Sequence, residues 1–274
     1  MNFISPEMVL YLLLTGSVVG FLSGLLGIGG GVILIPTLLW LLSGCGIDDQ
    51  VLTHVVFGTS LAVGTGTALS SSTAHRKRVM ISKETVLLLA LGSITGAQIG
   101  GYAAHLLSGK ILQIGFGILL LFISYLLLRP VNDGHDPASM LGGNLVLVGV
   151  GLIVGSVSAV IGTGGAILST TILVLFLKYP MHRTVGITAS MMVFTAASGA
   201  LSYIFNGGNL PNLPPYSFGY VNLYLTLTLV TASTVTAKLG VRLAHKLDPR
   251  PLQQALGIFL LIIAVKILSS NLLT

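Results

Sequence analysis

The chain has 274 residues, of which 53% are hydrophobic and only 7% charged, and its mean hydropathy is +0.97. These values exclude a sizeable water-soluble domain and describe an all-α polytopic membrane protein. The net charge of +6 would suit nucleic acid, but the basic residues lie between apolar segments, where the positive-inside rule accounts for them, so no nucleic-acid partner is expected.

The first 30 residues lack a basic leader and run into further apolar segments, so the N-terminus is expected to remain in the membrane. Residues 8–42 form one apolar run of 35 residues. A single crossing needs about 20 residues at about 1.5 Å each. The run is therefore too long for one crossing and too short for two, and Gly27, Gly29, Gly30 and Gly31 mark where it should break. Backbone opened at membrane depth is tolerated only inside protein or beside a water-filled cavity. This hinge is thus the first candidate for a binding site. Cys45 is the single cysteine; it excludes an intramolecular disulfide and is expected to be a small apolar filler near a helix end.

Apolar helices are expected next at 51–74, 84–107 and 111–128. Residues 129–139, RPVNDGHDPAS, are rich in turn formers and charge and begin a cytoplasmic linker extending to 141. The second half repeats the order, with a split segment at 142–177 and helices at 182–206, 218–246 and 251–270. Residues 1–128 are thus one repeat and 142–274 the other, eight segments in all, or about ten helices when the broken ones are counted as two.

The duplication is visible residue by residue. At an offset of 135, Gly20, Ser23, Gly27, Gly29 and Gly30 fall on Gly155, Ser158, Gly162, Gly164 and Gly165. At an offset of 140, Ala97, Gly100, Ala104, His105 and Gln113 fall on Ala237, Gly240, Ala244, His245 and Gln253. The second helices leave two registers open. His54 and Gly58 match His182 and Gly186, whereas the stretch beginning at Gly58 matches Thr188 onward with a two-residue shift. Interrupted apolar segments at matching places in two halves point to a transporter site.

Loop charges indicate opposite orientations. Residues 74–83 hold Arg76, Lys77, Arg78 and Lys83, while the matching loop 206–219 has no Lys or Arg; Asp48 and Asp49 in one loop answer to Lys178 and Arg183 in the other. Inverted-topology repeats are expected, each with a Gly-broken hairpin that enters and leaves on one side, plus three transmembrane helices. The basic loops then face the cytoplasm and both termini lie outside.

Helices leaving the hinges should begin near Gly30 and Gly165, presenting unpaired N–H groups and about half a positive charge to an anion. Gly27, Gly29, Gly30, Gly31, Gly162, Gly164 and Gly165 are the backbone candidates, with Ser23, Ser158 and Thr163 as hydroxyl donors. Close helix packing is the alternative for the glycines, since small-xxx-small spacing recurs. Thr59, Ser60, Thr188 and Ser190 are candidates to line the path, or else to bridge helices. Lys238 and its counterpart Gln98 are candidates to touch substrate, although Lys238 also sits within a turn of Arg242 and suits snorkelling. His54, His105, His182 and His245 fall near helix ends, as interfacial anchors would. Every carboxylate lies at a terminus or loop, so none is placed to carry a coupled ion at mid-membrane. No metal or cofactor is expected.

The paired hinges, Gly20-x-x-Ser23-Gly24-x-x-Gly27-Ile28-Gly29-Gly30-Gly31 with Pro36, the stretch HVVFGTSL at 54–61 and the ending GVRLAHKLDPRPLQQALG at 240–257 resemble the TauE/SafE family of sulfite and organosulfonate exporters. The resemblance spans essentially the whole chain. It implies a multi-pass transporter of small sulfur-containing anions in a bacterial cytoplasmic membrane, with lipid and a small anion as its partners and the hinges near the substrate path. The second half departs from the motif, with Thr163, Ala166 and Thr171 where Ile28, Gly31 and Pro36 stand. Export of sulfite or an organosulfonate leads; uptake of a sulfonate or thiosulfate-like anion is the alternative. An intramembrane serine protease using Ser198 lacks a histidine at depth. Oligomeric state is left open.

Overall fold

The computed structural model describes residues 5–27, 29–76, 82–129, 143–179, 181–208, 210, 212–244 and 249–272. Of the expected linker only Arg129 is among them; Lys77, Arg78, His245, Lys246 and Asp248 lie outside the described residues, as does the side chain of His182. Ten α-helices carry nearly all of the described chain: α1 (Pro6–Leu26), α2 (Gly31–Leu42), α3 (Asp49–Arg76), α4 (Lys83–Leu106), α5 (Gly109–Leu128), α6 (Asn144–Ile161), α7 (Ala166–Thr171), α8 (Met181–Asn206), α9 (Leu223–Ala244) and α10 (Pro249–Leu272). α7 runs straight into a π-helical turn, Ile172–Phe176. Among the described residues seven helices are long and apolar enough to cross a membrane, α1 and α6 included. At 12 residues, α2 spans only about 18 Å and is too short to cross.

Hydropathy sorts the helices by depth in the bundle. α3 and α8, rich in Ser and Thr, reach a mean hydropathy of only 1.3 and 1.4, against 2.1 or more for α1, α5, α6 and α10. The same two are the most buried of the candidate spans. Hydroxyls facing lipid would find no partner, so the less apolar helices are enclosed by the more apolar ones.

Helix directions follow from which residues touch. Gly16, Gly20 and Gly24 of α1 lie on the backbone of Leu229, Ser233 and Ala237 of α9. The numbers rise together, so the helices are parallel. Gly92, Gly96 and Gly100 of α4 meet Val148, Leu152 and Ser156 of α6 in the same sense. In each pair the missing Cβ lets a backbone carbonyl sit where a side chain would be, the close approach that small residues permit in membranes. α3 is also parallel to α9, through Thr67 with Ser233 and Ser70 with Thr234. α4 is parallel to α8, through Ser198 with Ile94 and Ser202 with Gln98.

The remaining pairs run the other way. Gly58 meets Tyr203, Gly199 meets Leu61 and Ser72 bonds Ser190, so α3 and α8 are antiparallel. Gln113 bonds Asn271 while Ser124 bonds the Gly257 carbonyl, so α5 and α10 are too. One end of the bundle consequently carries Arg76, Lys83, Arg183 and Arg242 with Glu84, and the other carries Glu7, Asp48 and Lys110.

The expected helix at 218–246 begins later, at Leu223. Ser217–Phe218 and Val221–Asn222 pair as two short antiparallel strands, and the Asn222 side chain caps α9 by accepting from the Leu225 N–H at 3.0 Å. An Asn buried in an apolar stretch is a helix start, not a helix interior.

Candidate functional site

Both split segments break where the glycines stand. α1 ends on Gly27 (φ 64°) and α6 on Gly162 (φ 75°), left-handed positions that glycine occupies without strain. α2 starts after Gly30 and α7 after Gly165. Each break is lodged against the central helix of the opposite half: a Cβ on Gly162 would fall 2.8 Å from Phe57 Cβ, and one on Gly27 would run into Val185. These two contacts are counterparts, because 162 − 27 is 135 while 185 − 57 is 128. They choose between the two registers of the second helices in favour of His54 with His182, which makes Ser60 the counterpart of Thr188.

The breaks also meet each other. Gly31 sits with its would-be Cβ 2.9 Å from Thr163 Cα and 3.0 Å from Ser60 Oγ, and Gly29 faces Ala166. The two segments therefore pass side by side in opposite senses, deep in the bundle, with all their described residues buried.

Ser60 Oγ, Ser158 Oγ and Thr163 Oγ1 are buried there and hydrogen-bond to nothing among the described residues. Their residues are 1%, 0% and 2% exposed. Ser158 Oγ lies 2.9 Å from where a Cβ on Gly165 would be. A buried hydroxyl without a partner costs about 1–3 kcal/mol, and three around one crossing point are three donors held ready for a ligand. Every charged side chain whose burial is described is exposed, so no described cation or carboxylate lies among them.

The other expected site residues are engaged elsewhere. Thr59 Oγ1 accepts from the Asn222 N–H at 3.1 Å, fixing the strand pair before α9. Thr188 is bonded to Thr170 at 3.1 Å and Ser190 to Ser72 at 2.8 Å, both as interhelical ties. Gln98 donates to the Ser198 carbonyl at 2.8 Å and its hydroxyl at 3.0 Å, binding α4 to α8. Lys238 is exposed on α9, one residue past the Ala237 that packs on Gly24. Ser23 is buried in the last turn of α1, where its carbonyl accepts from the Gly27 N–H. His54, expected as an interfacial anchor, is 4% exposed instead. Its Nε2 faces the carbonyls of Ala104 and Leu107, both at 3.1 Å, and its ring stacks on Tyr220. These carbonyls lie at the end of α4, where Ala104 also accepts from the N–H of the capping Leu107 at 3.1 Å. Burial pushes the Tyr220 phenol above its ordinary pKa, so it stays neutral beside His105 Nδ1, 3.1 Å away.

Two residues at the breaks escaped sequence reasoning. Tyr203, fully enclosed on α8, donates to the Ala159 carbonyl at 3.0 Å and so serves the frayed end of α6. Met192, 3% exposed on α8, reaches between the breaks, with Gly29, Gly64 and Gly164 around it. An open cleft of about 850 Å³ at the end that carries Asp48, between residues 43–48 and 212–215, includes none of the break residues.

Comparison with known proteins agrees with this architecture. The family model described as "Sulfite exporter TauE/SafE" matches residues 12–267. A "Probable membrane transporter protein" of Haemophilus influenzae is 29% identical over 260 residues, covering 94% of this chain and 97% of its own. "Probable membrane transporter protein YunE" of Bacillus subtilis is 25% identical, covering 94% and 96%. A third relative, from Methanocaldococcus jannaschii, is 28% identical over 88% of each chain. No solved structure matches. With a family match over nearly its whole length and seven helices able to span a bilayer, this multi-pass integral membrane protein belongs to the TauE/SafE family of membrane transporters.

Proposed function

We propose that the protein exports a small sulfur-containing anion, sulfite or an organosulfonate, through a site formed where its two helix breaks cross. The observation that carries this is the cluster of unpartnered buried hydroxyls, Ser60, Ser158 and Thr163, against the glycine breaks. An oxyanion accepts hydrogen bonds from hydroxyls and from the N–H groups that start α2, and the positive end of that helix favours its charge. The sulfur chemistry of the cargo rests on the family, whose description names sulfite.

Two inverted-topology repeats, each containing a re-entrant hairpin, form the scaffold of this proposal. Its support is directional. α1 and α3 are both parallel to α9, and α6 and α8 both parallel to α4. A chain that runs through α1 and then starts α3 in the same direction has returned to the end it left, so α2 is the returning arm. The same holds for α6, α7 and α8. The antiparallel pairing of α3 with its counterpart α8, and of α5 with α10, makes the halves opposite. The end bearing Arg76, Lys83, Arg183 and Arg242 is then cytoplasmic. An outward-moving anion gains about 2.3 kcal/mol per charge per 100 mV of inside-negative potential, roughly fiftyfold, and needs no coupled ion.

Radiolabelled sulfite and a panel of sulfonates in proteoliposomes provide the test. Efflux of at least one of these anions should quicken as the interior is made negative. Fluxes that ignore potential, or transport only inward, would overturn export in favour of a coupled or uptake mode.

A further inference from the structure

We infer that Met192 is a removable plug that closes the crossing of the two breaks and limits the size of what passes; the inference deepens the proposed anion site and rests on it for the cargo. Met192 stands on α8, 3% exposed, between the two breaks and α3. Its Sδ and Cε are 3.3 Å from where a Cβ on Gly29 would be, and its Cε is 2.8 Å from that of Gly164 and 3.1 Å from that of Gly64. Thus one side chain touches the first break, the second break and the facing central helix.

Its own counterpart shows why there is only one. At the offset of 128 that the break contacts select, Met192 corresponds to Gly64. Elements related by a two-fold approach one another most closely beside the axis, and two methionines facing each other there would overlap. The first half yields its side chain and the second half fills the space. The three glycines leave bare backbone on three sides, and Met192 fills the space their side chains would take.

The chemistry of the thioether decides between a plug and a ligand. It has no hydrogen to donate, and an anion beside it would lose hydration without compensation. Cargo that reaches Ser60, Ser158 and Thr163 must therefore displace the methionine. An unbranched chain with three rotatable bonds is suited to that, whereas a β-branched one would be stiff.

The test uses full-length protein in proteoliposomes, with Cys45→Ser to remove the native thiol and Thr163→Cys as reporter, labelled by a water-soluble methanethiosulfonate reagent. Met192→Ala should raise the labelling rate about tenfold, as expected when an accessible fraction of about a tenth becomes nearly complete. Met192→Leu, which keeps the bulk, should label like the parent. Adding Gly64→Met to Met192→Ala should restore slow labelling, because the plug then comes from the other half. In a parallel assay with Thr163 intact, benzenesulfonate should compete with sulfite efflux in Met192→Ala and not in the parent. Labelling that is unchanged in Met192→Ala would overturn the plug, even if sulfite moves. Faster labelling without sulfite movement in any variant would uphold the plug and overturn the cargo.

Discussion

Hydroxyls and carbonyls at the breaks are where single side chains matter most. Tyr203 donates to the carbonyl of Ala159, and its second contact reaches toward that of Val160 at 3.4 Å. Removing this hydroxyl takes one of two donors from the Ala159 carbonyl, which keeps the Gly162 N–H at 3.3 Å. Tyr203→Phe should lower stability by about 0.5–1.5 kcal/mol, visible as a lower midpoint of thermal unfolding in detergent, and an unchanged midpoint would show that this bond adds nothing to the helix end. The glycines and Ser158 stood out in the sequence because the duplication aligns them, and Thr163 because it stands between Gly162 and Gly164. Tyr203 and Met192 were not, since the duplication draws attention to positions that agree. Met192 answers to Gly64 and Tyr203 to His75, so both lie where the halves differ. Nor are the glycines of the breaks alike. Gly165 has φ 90° and penalises any side chain, whereas Gly30 has φ −74° and is restricted only by Val19 close by.

Among the elements, the pairings of α1 with α9 and of α4 with α6 are the informative ones, for each joins the broken helix of one half to a straight helix of the other. The sequence displayed both partners' small residues but not their pairing, because small-xxx-small spacing names a packing face without naming what it meets. Gly96 of α4 lies with its would-be Cβ on the Leu152 carbonyl, and Gly20 of α1 with its own on that of Ser233. Gly96→Leu or Gly20→Leu should therefore separate a helix pair and abolish the monodisperse peak in size-exclusion chromatography. Gly115 or Gly149 to Leu should not, since a Cβ there meets nothing within 4 Å; equal behaviour of the two groups would refute the zippers. Regularity within the short arms is broken at matching places. Pro36 lies inside α2 and leaves its turn one backbone donor short, and at the same offset Thr171 precedes the π turn that continues α7. The late start of α9 was hidden by the apolar residues around Asn222, whose capping role depends on the strand pair beside it.

At the scale of the molecule, α3 and α8 form a polar-lined centre, the two swapped pairs flank it, and α5 with α10 closes one side. Composition and loop charge foretold a multi-pass helical protein, and one end of the described helices carries most of the basic residues, as the loops suggested. What no one-dimensional pattern conveys is that the breaks overlap instead of meeting tip to tip. α1 at 21 residues reaches Val185, near the start of α8, before the chain turns back. At this buried crossing the three hydroxyls have no hydrogen-bond partner among the described residues. The central claim is that they await an anion. Sulfite efflux from proteoliposomes held at an inside-negative potential, compared between the wild type and Ser158→Ala/Thr163→Val, tests it most directly. Losing two hydrogen bonds to a charged ligand, each about 1.5–3 kcal/mol, should cut efflux by at least a hundredfold, while unfolding shows the variant as stable as the parent or more so. A folded variant that exports sulfite at the wild-type rate would contradict the account.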